Sequence, residues 1–229
     1  MLQANIAFHK ESFKIIEVEK AYVATVHIES IPEDLYLCRE PIMAGVEVGH
    51  IQKMLRGLTT GGFLLEIALL YSDPENMHLN ITNIEKKTTI RHILKLLDLP
   101  NNEYETNDTI FKRVISIPAS DFQKYVKELV SGTKEITITS KCDKLILSSS
   151  NEFGGSSIEI QPTPKGLNYH KLEDGEEVIT AVYPAKFLER FAKPLDSQVE
   201  LFFCAEFPLI IRYCMSSTVV KFLLNPIED

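Results

Sequence analysis

The side chains best spaced to act together in this sequence are cationic. In "PAKFLERFAKPL" (184–195), Lys186, Arg190 and Lys193 recur at i, i+4 and i+7, so a helix would carry them on one side. Lys124 and Lys127 stand three apart in "SDFQKYVKELVSG" (120–132), with Glu128 beside them. Lys53 and Arg56 stand three apart in "GHIQKMLRGL" (49–58), with His50 alongside. Ammonium and guanidinium groups set out this way hold phosphates without reading bases. Such binding is salt-sensitive and mobile along a duplex. On one helix a charged face is what solvent asks of any surface helix. Three helices at equivalent places in a repeat shift the weight toward a shared cationic surface.

Other chemistry is hard to find. No GxSxG, HExxH, GxxxxGK[ST] or DxD-like carboxylate cluster falls in a fitting context, so no catalytic residue and no cofactor are expected. Cys38, Cys142, Cys204 and Cys214 are widely spaced, with no CxxC pair and no histidine spacing suited to zinc. They read as ordinary strand or core thiols, and no metal site is expected.

The 229 residues can form one large domain or two of about 100 to 120 residues each. No apolar run approaches the roughly 20 residues of a membrane helix, and "MLQANIAFHK" lacks the charged start and apolar centre of a secretory signal. A reducing, intracellular setting is the expectation. The net charge of −8, taken alone, argues against a nucleic-acid binder. Where the 24 Lys and Arg sit decides the matter, because a total says nothing about distribution.

The elements that must position those cations recur as a unit: strand, short helix, then a β-rich run. In the middle copy, 111–120 predicts a strand ending at Pro118. The helix over 120–132 has Phe122, Tyr125, Val126, Leu129 and Val130 on one face. Ser120 and Gln123 predict a capping box and Gly132 a stop. A hairpin over "KEITITS" and "KLILSSS" follows. In the last copy, 176–185 is a strand and 184–195 a helix with Phe187, Leu188, Phe191 and Leu195 inward. Three strands then come from "VELFFCAEFPLIIRYCM" and "STVVKFLLNP". The early copy runs strand 41–48, helix 49–58 on Ile51, Met54, Leu55 and Leu58, then β over 63–82. The opening copy, 5–30, is hairpin and strand without its head, and "MLQAN" reads as the tail of a helix. Paired copies predict two similar halves, 1–94 and 112–229, joined by a connector over 95–111. The fold class is α+β, mostly antiparallel sheet with short helices on one face.

These segments together resemble the proliferating cell nuclear antigen family of sliding clamps. "FPLIIRYCM…VVKFLLNPIED" is similar to the family's closing strands and acidic tail, and "KLLDLPNNEYE" to the start of its interdomain connector. "FKRVISIPASDFQKYVKELVSGTKEITI" is similar to the opening of its second half, and "MAGVEVGHIQKMLRGL" to a strand and helix of its first. The resemblance spans about residues 18 to 229 in order, which is more specific than one short motif. It implies the DNA clamp (processivity) fold and a ring of three identical subunits with helices lining the hole. It also implies no enzymatic activity, and partners that are duplex DNA, DNA polymerase, other proteins carrying clamp-binding peptides, and an ATP-dependent clamp loader.

By position, the resemblance points Lys53, Arg56, Lys124, Lys127, Lys186, Arg190 and Lys193 at the duplex. It implies a partner-peptide pocket from Val18, Tyr22, Thr25, Tyr104, Thr106, Phe111, Pro208, Phe222, Leu223, Leu224 and Pro226. It implies subunit contacts through edge strands at 87–95 and 154–160, with Thr89, Ile90, Arg91, Ile93, Ser157, Ile158 and Ile160. Read alone, those two segments also suit buried strands within one subunit. So too do Phe222 and Leu224 suit a core strand.

Three departures stand out. The family's first strand and helix have no counterpart, so one of four DNA-facing helices per subunit is missing or reduced to "MLQAN". Tyr104 and Thr106 replace usual aliphatics in the connector, and Tyr22 is bulky for a pocket edge. These point to a divergent lineage, a viral one included, and to the nucleus or a viral replication compartment. Two other readings remain open at this level. One is a subunit of a heterotrimeric damage-checkpoint clamp or a clamp-like scaffold that does not encircle DNA. The other, an enzyme, lacks any motif.

Overall fold

In the computed structural model, residues 2–29, 31–56, 58, 62–100, 111–172, 178–204 and 207–227 are described. In chain order the strands and helices are β1 (Gln3–Phe8), β2 (Phe13–Glu19), β3 (Tyr22–Ile28), β4 (Ile42–Glu47), α1 (Val48–Leu55), β5 (Phe63–Leu70), β6 (Asp73–Asn83) and β7 (Thr88–Lys95). They continue as β8 (Arg113–Pro118), α2 (Ala119–Val130), β9 (Glu135–Ser140), β10 (Leu145–Asn151), β11 (Gly154–Ile160) and β12 (Asn168–Leu172). The last five are β13 (Ile179–Pro184), α3 (Ala185–Phe191), β14 (Gln198–Phe203), β15 (Leu209–Met215) and β16 (Thr218–Leu224). Alternating apolar residues, Ile136 and Ile138 on β9 and Leu145 and Leu147 on β10, bury one face of those two strands.

The chain forms two compact units, one from Met1–Glu17 with Pro32–Glu103 and the other from Val18–Ile31 with Tyr104–Asp229. The first holds antiparallel β2-β1-β4, the antiparallel sheet β5-β6-β7, and α1. Its core is Ile6, Val46, Met77, Leu79 and Leu94, with Ile51 and Met54 of α1 packed on it. The second holds antiparallel β12-β8-β14-β15-β16-β3 and β11-β10-β9-β13. Its core joins the inner faces of α2 and α3 to both sheets through Phe122, Val126, Leu188, Phe191, Leu201 and Tyr213. The segment holding β3 precedes β4 in sequence but belongs to the second unit, because β3 pairs with β16 over seven residue pairs, Tyr22↔Leu224 to Ile28↔Thr218.

The repeat is visible in backbone hydrogen bonds. Val48 N–H, opening α1, donates to Leu2 O just ahead of β1 (3.0 Å), and Ala185 N–H, opening α3, donates to Lys134 O just ahead of β9 (2.9 Å). Leu97 N–H, after β7, donates to Gly45 O in β4 (2.9 Å), and Ile227 N–H, after β16, donates to Val182 O in β13 (2.8 Å). Gly45 is required there: a Cβ at that position would come 2.2 Å from Leu97 O.

Four local expectations need correction. "MLQAN" is not the tail of a helix: Gln3–Asn5 lie in β1, held between β2 and β4, with Ala4 buried and Asn5 Nδ2 donating to Pro100 O (2.8 Å). The Ser120–Gln123 capping box does not form. The N-cap is Pro118, without a side-chain cap, because Ala119 N–H is already satisfied by Ser197 O of the neighbouring segment (2.9 Å). The last helix stops at Phe191, so Lys193 lies beyond it and Leu195 is exposed rather than inward. Pro194 explains this, since a proline disfavours helical backbone in the residue before it. Similarly α1 ends at Leu55, leaving Arg56 as its C-cap. Gly132 does stop α2, at φ +78 after the cap residue Ser131.

Candidate functional site

The cationic surface follows from how α2 and α3 bury their other sides. α2 buries Ala119, Phe122, Val126 and Leu129, and α3 buries Ala185, Leu188 and Phe191. Both helices pack on one core and on each other, so their remaining faces turn to solvent together. Lys124, Lys127, Lys186 and Arg190 are all exposed there, and exposed Lys193 follows α3 directly. These cations outnumber Asp121, Glu128 and Glu189 on the same two helices. Arg190 is also an anchor: its Nη1 donates to Tyr22 Oη (2.9 Å), and its guanidinium lies 5.6 Å from the Tyr22 ring centre. In the first unit, α1 likewise exposes Lys53 and Arg56, with His50 Nδ1 3.1 Å from Glu47 Oε2.

The proposed pocket residues separate onto two faces. Across the second unit's sheet, Val114, Phe202, Ile210, Leu223 and Val23 sit opposite one another on successive strands β8, β14, β15, β16 and β3. They share an apolar cluster with Phe111 and Cys204 on the side away from the helices. Phe111 meets Phe202 edge-on (5.7 Å), and partly exposed Phe207 lies 6.3 Å from it. One register step away, Ile115, Leu201, Ile211, Phe222 and Ala24 form the matching row on the helix side.

Thus Phe111 and Leu223 join the outer cluster, and buried Thr25 shares its face, opposite Lys221. Tyr22, Phe222 and Leu224 belong to the inner core instead. Three consecutive strand residues cannot face one side, because the side-chain period is two. Tyr22 therefore does not crowd a pocket edge; it fills the core between Phe187 and Phe191, each 5.0 Å away. Val18 is exposed, Pro208 and Pro226 are half-buried, and Tyr104 and Thr106 lie outside the described residues. Sequence reasoning missed Val23, Val114, Phe202 and Ile210. The signal was available: alternation counted outward from Leu223 selects them.

The edge residues lie where edges were expected. Among the described strands, β7 pairs only with β6 and β11 only with β10. Thr89, Ile90, Arg91 and Ile93 are exposed on β7; Ser157 is exposed and Ile158 and Ile160 half-buried on β11. β11 is braced by Lys144 Nζ on Glu159 Oε2 (2.9 Å), an ion pair that raises the lysine's proton affinity. Among the described residues, no group of three or more His, Cys, Asp or Glu could hold a metal ion, and no helix is long and apolar enough to cross a membrane.

Comparison with known proteins gives four findings. The family model for the proliferating cell nuclear antigen C-terminal domain matches residues 105–227. The chain is 26% identical over 230 residues to a probable DNA polymerase sliding clamp of Paramecium bursaria Chlorella virus 1, covering 97% of this chain and 87% of that one. It is 24% identical over 208 residues to proliferating cell nuclear antigen of Saccharomyces cerevisiae, covering 88% and 78%. Its fold matches the crystal structure of the Entamoeba histolytica protein of that name with a TM-score of 0.81 at 20% identity, covering 100% of this chain and 90% of that one.

Proposed function

The chain belongs to the proliferating cell nuclear antigen family, and from that premise we propose that three copies close into a ring around duplex DNA. The protein is a DNA sliding clamp, a processivity factor of replication and not an enzyme. One observation carries the ring. β3 and β16, seven residues each, pair antiparallel within the chain. Their counterparts by chain order are β11, third in the β9–β11 run, and β7, third strand after α1 as β16 is third after α3. Among the described strands both have a free edge, and they are of similar length. β7 of one copy pairing with β11 of the next repeats the β16–β3 contact head to tail, and a head-to-tail contact generates a ring when its rotation closes. Arg91 and Lys95 make the β7 edge cationic, whereas the one charge on β11, Glu159, is already paired with Lys144.

Lys53, Arg56, Lys124, Lys127, Lys186, Arg190 and Lys193 then face phosphates, non-specifically and salt-dependently. Exposed Phe207 and half-buried Val23, at the margin of the buried Phe111–Val114–Phe202–Ile210–Leu223 cluster, dock apolar side chains of short peptides from DNA polymerase and repair proteins. A loader consuming ATP opens the ring, in the nucleus or a viral replication compartment. Solution mass tests the assembly: three times the 26.0 kDa chain mass is expected, and a strict monomer sinks it. Lys124→Glu with Lys186→Glu should keep that mass while reducing stimulation of the cognate polymerase on a long primed template. Unchanged stimulation would remove the helices from the DNA-facing role.

A further inference from the structure

The pairing the chain makes with itself gives the β7–β11 contact between copies a register. His92 and Phe222 hold the same place in the repeat. Each lies five residues ahead of the N–H that makes the matched bond, Leu97 and Ile227, and each stands opposite a fully buried residue, Leu79 or Ile211. β11 and β3 are both seven-residue strands, with Ser156 and Ala24 third. Phe222 pairs with Ala24 inside the chain, so His92 meets Ser156 of the next copy, Arg91 meets Ser157, and Ile90 meets Ile158. The register also accounts for Ile90, which shares its face with buried Leu94 yet is 57% exposed in the single chain.

At this shared place the two contacts differ in chemistry. Phe222 stacks on Phe191 with ring centres 4.4 Å apart, an apolar closure. His92 puts a titratable imidazole there, beside Ile90 and Leu94 on its own strand and Leu79 on β6. Met54 is the seventh residue of α1, as Phe191 is of α3, and it packs in one apolar cluster with Leu79 and Leu94.

The surrounding charges offer a protonated His92 little. On α1 stand His50 and Lys53, and Glu47 Oε2 is already 3.1 Å from His50 Nδ1. On the other face, Arg91 and Lys95 add positive charge, Glu66 is bonded to Asn80, and His78, opposite Ile93, is paired with Asp73. The next copy brings the hydroxyls of Ser156 and Ser149, while its Glu159 is held by Lys144. Its α2, which packs on β11, sets Asp121 and Glu128 against Lys124 and Lys127.

We propose that His92 makes closure of the ring pH-dependent: copies join while its imidazole is neutral and separate as it takes up a proton. The proposal rests on the ring inferred above. Imidazoles ordinarily change charge between about pH 5 and 8. Burying the charged form against apolar surface without a counter-charge is opposed by desolvation. The free copy, with His92 open to water, therefore takes the proton more readily than the closed ring. Assembly is strongest above that range and weakens as pH falls through it.

Sedimentation of the full chain over a dilution series, at about pH 7.5 and about pH 5.5, tests this. The concentration at which the trimer half-dissociates should rise about tenfold or more at the lower pH, with the circular dichroism of the fold unchanged. His92→Phe, which restores the Phe222 arrangement, should assemble at least as tightly at the higher pH and lose the dependence. His50→Gln and His78→Gln should keep it. Equal dissociation at both pH values, tighter assembly at the lower one, or a His92→Phe chain as pH-sensitive as the parent would each overturn the proposal and leave the ring standing. A monomer at both pH values would overturn the ring itself, and the proposal with it.

Discussion

β14 and β5 have the same place in the repeat and opposite surroundings. Each follows a short helix and opens a three-strand antiparallel run. β14 is flanked on both sides and roofed by α2, and its inward residues are fully buried; among the described strands β5 is paired with β6 alone, and it is half-exposed. Both strands are apolar enough for an interior, since burial is decided by what arrives to cover a strand as well as by its own residues. The comparison teaches that a repeat can keep its hydrogen-bond plan, down to the matched bonds Leu97 to Gly45 and Ile227 to Val182, while its described residues cover equivalent strands unequally.

The strongest way to break this comparison is truncation in the two strands. Leu201→Ala leaves a cavity beside Ile115 and Ile211 and should cost about 2–5 kcal/mol. Ile67→Ala, already half in water, should cost about 1 kcal/mol or less. Urea unfolding reads both, and equal losses would show β5 to be covered. A smaller effect is expected from Tyr213→Phe. The buried phenol, whose proton affinity rises with desolvation, donates to Phe191 O at the end of α3 (2.9 Å). Losing it should cost about 1 kcal/mol in the second unit and loosen the last turn of α3 in amide exchange. No change would make that bond ornamental.

The smallest effect belongs to acid. At the β5–β6 turn, Asn76 donates to the Asp73 carboxylate (2.7 Å) and His78 Nε2 lies 2.9 Å from it, which together hold its pKa below the ordinary value. A depressed carboxyl stabilises fully above its unfolded pKa and loses that contribution as pH falls through the folded one. The β5–β6 hairpin should therefore fray in acid before β14–β15, and Asn76→Ala should move that onset to higher pH. Residue-resolved exchange against pH checks both, and simultaneous fraying would blunt the contrast.

Much of the fold was legible because its signals are local. Apolar stripes at helical spacing placed α1, α2 and α3, and alternation placed β9, β10 and β16. Cations excluded from those stripes had to be exposed, as Lys124, Lys127 and Lys186 are. The proposed docking surface was only half legible. "FLLNP" is contiguous in sequence, but β-pleating sends Leu223 outward and Phe222 and Leu224 inward. The cap of α2 was misread for a related reason: Ala119 N–H is satisfied by the Ser197 carbonyl, which no nearby residue announces.

What the sequence determined by itself is periodicity: which stretches are strands or helices, which residues on each are apolar, and that the pattern recurs. What tertiary structure alone decided is partnership. It sent β3 to β16, put Tyr22 under Arg190 and left Leu65 and Ile67 of β5 partly exposed. The reason is physical: periodicity depends on neighbours a few bonds away, whereas pairing and burial depend on segments brought together from as far apart as Tyr22 and Leu224.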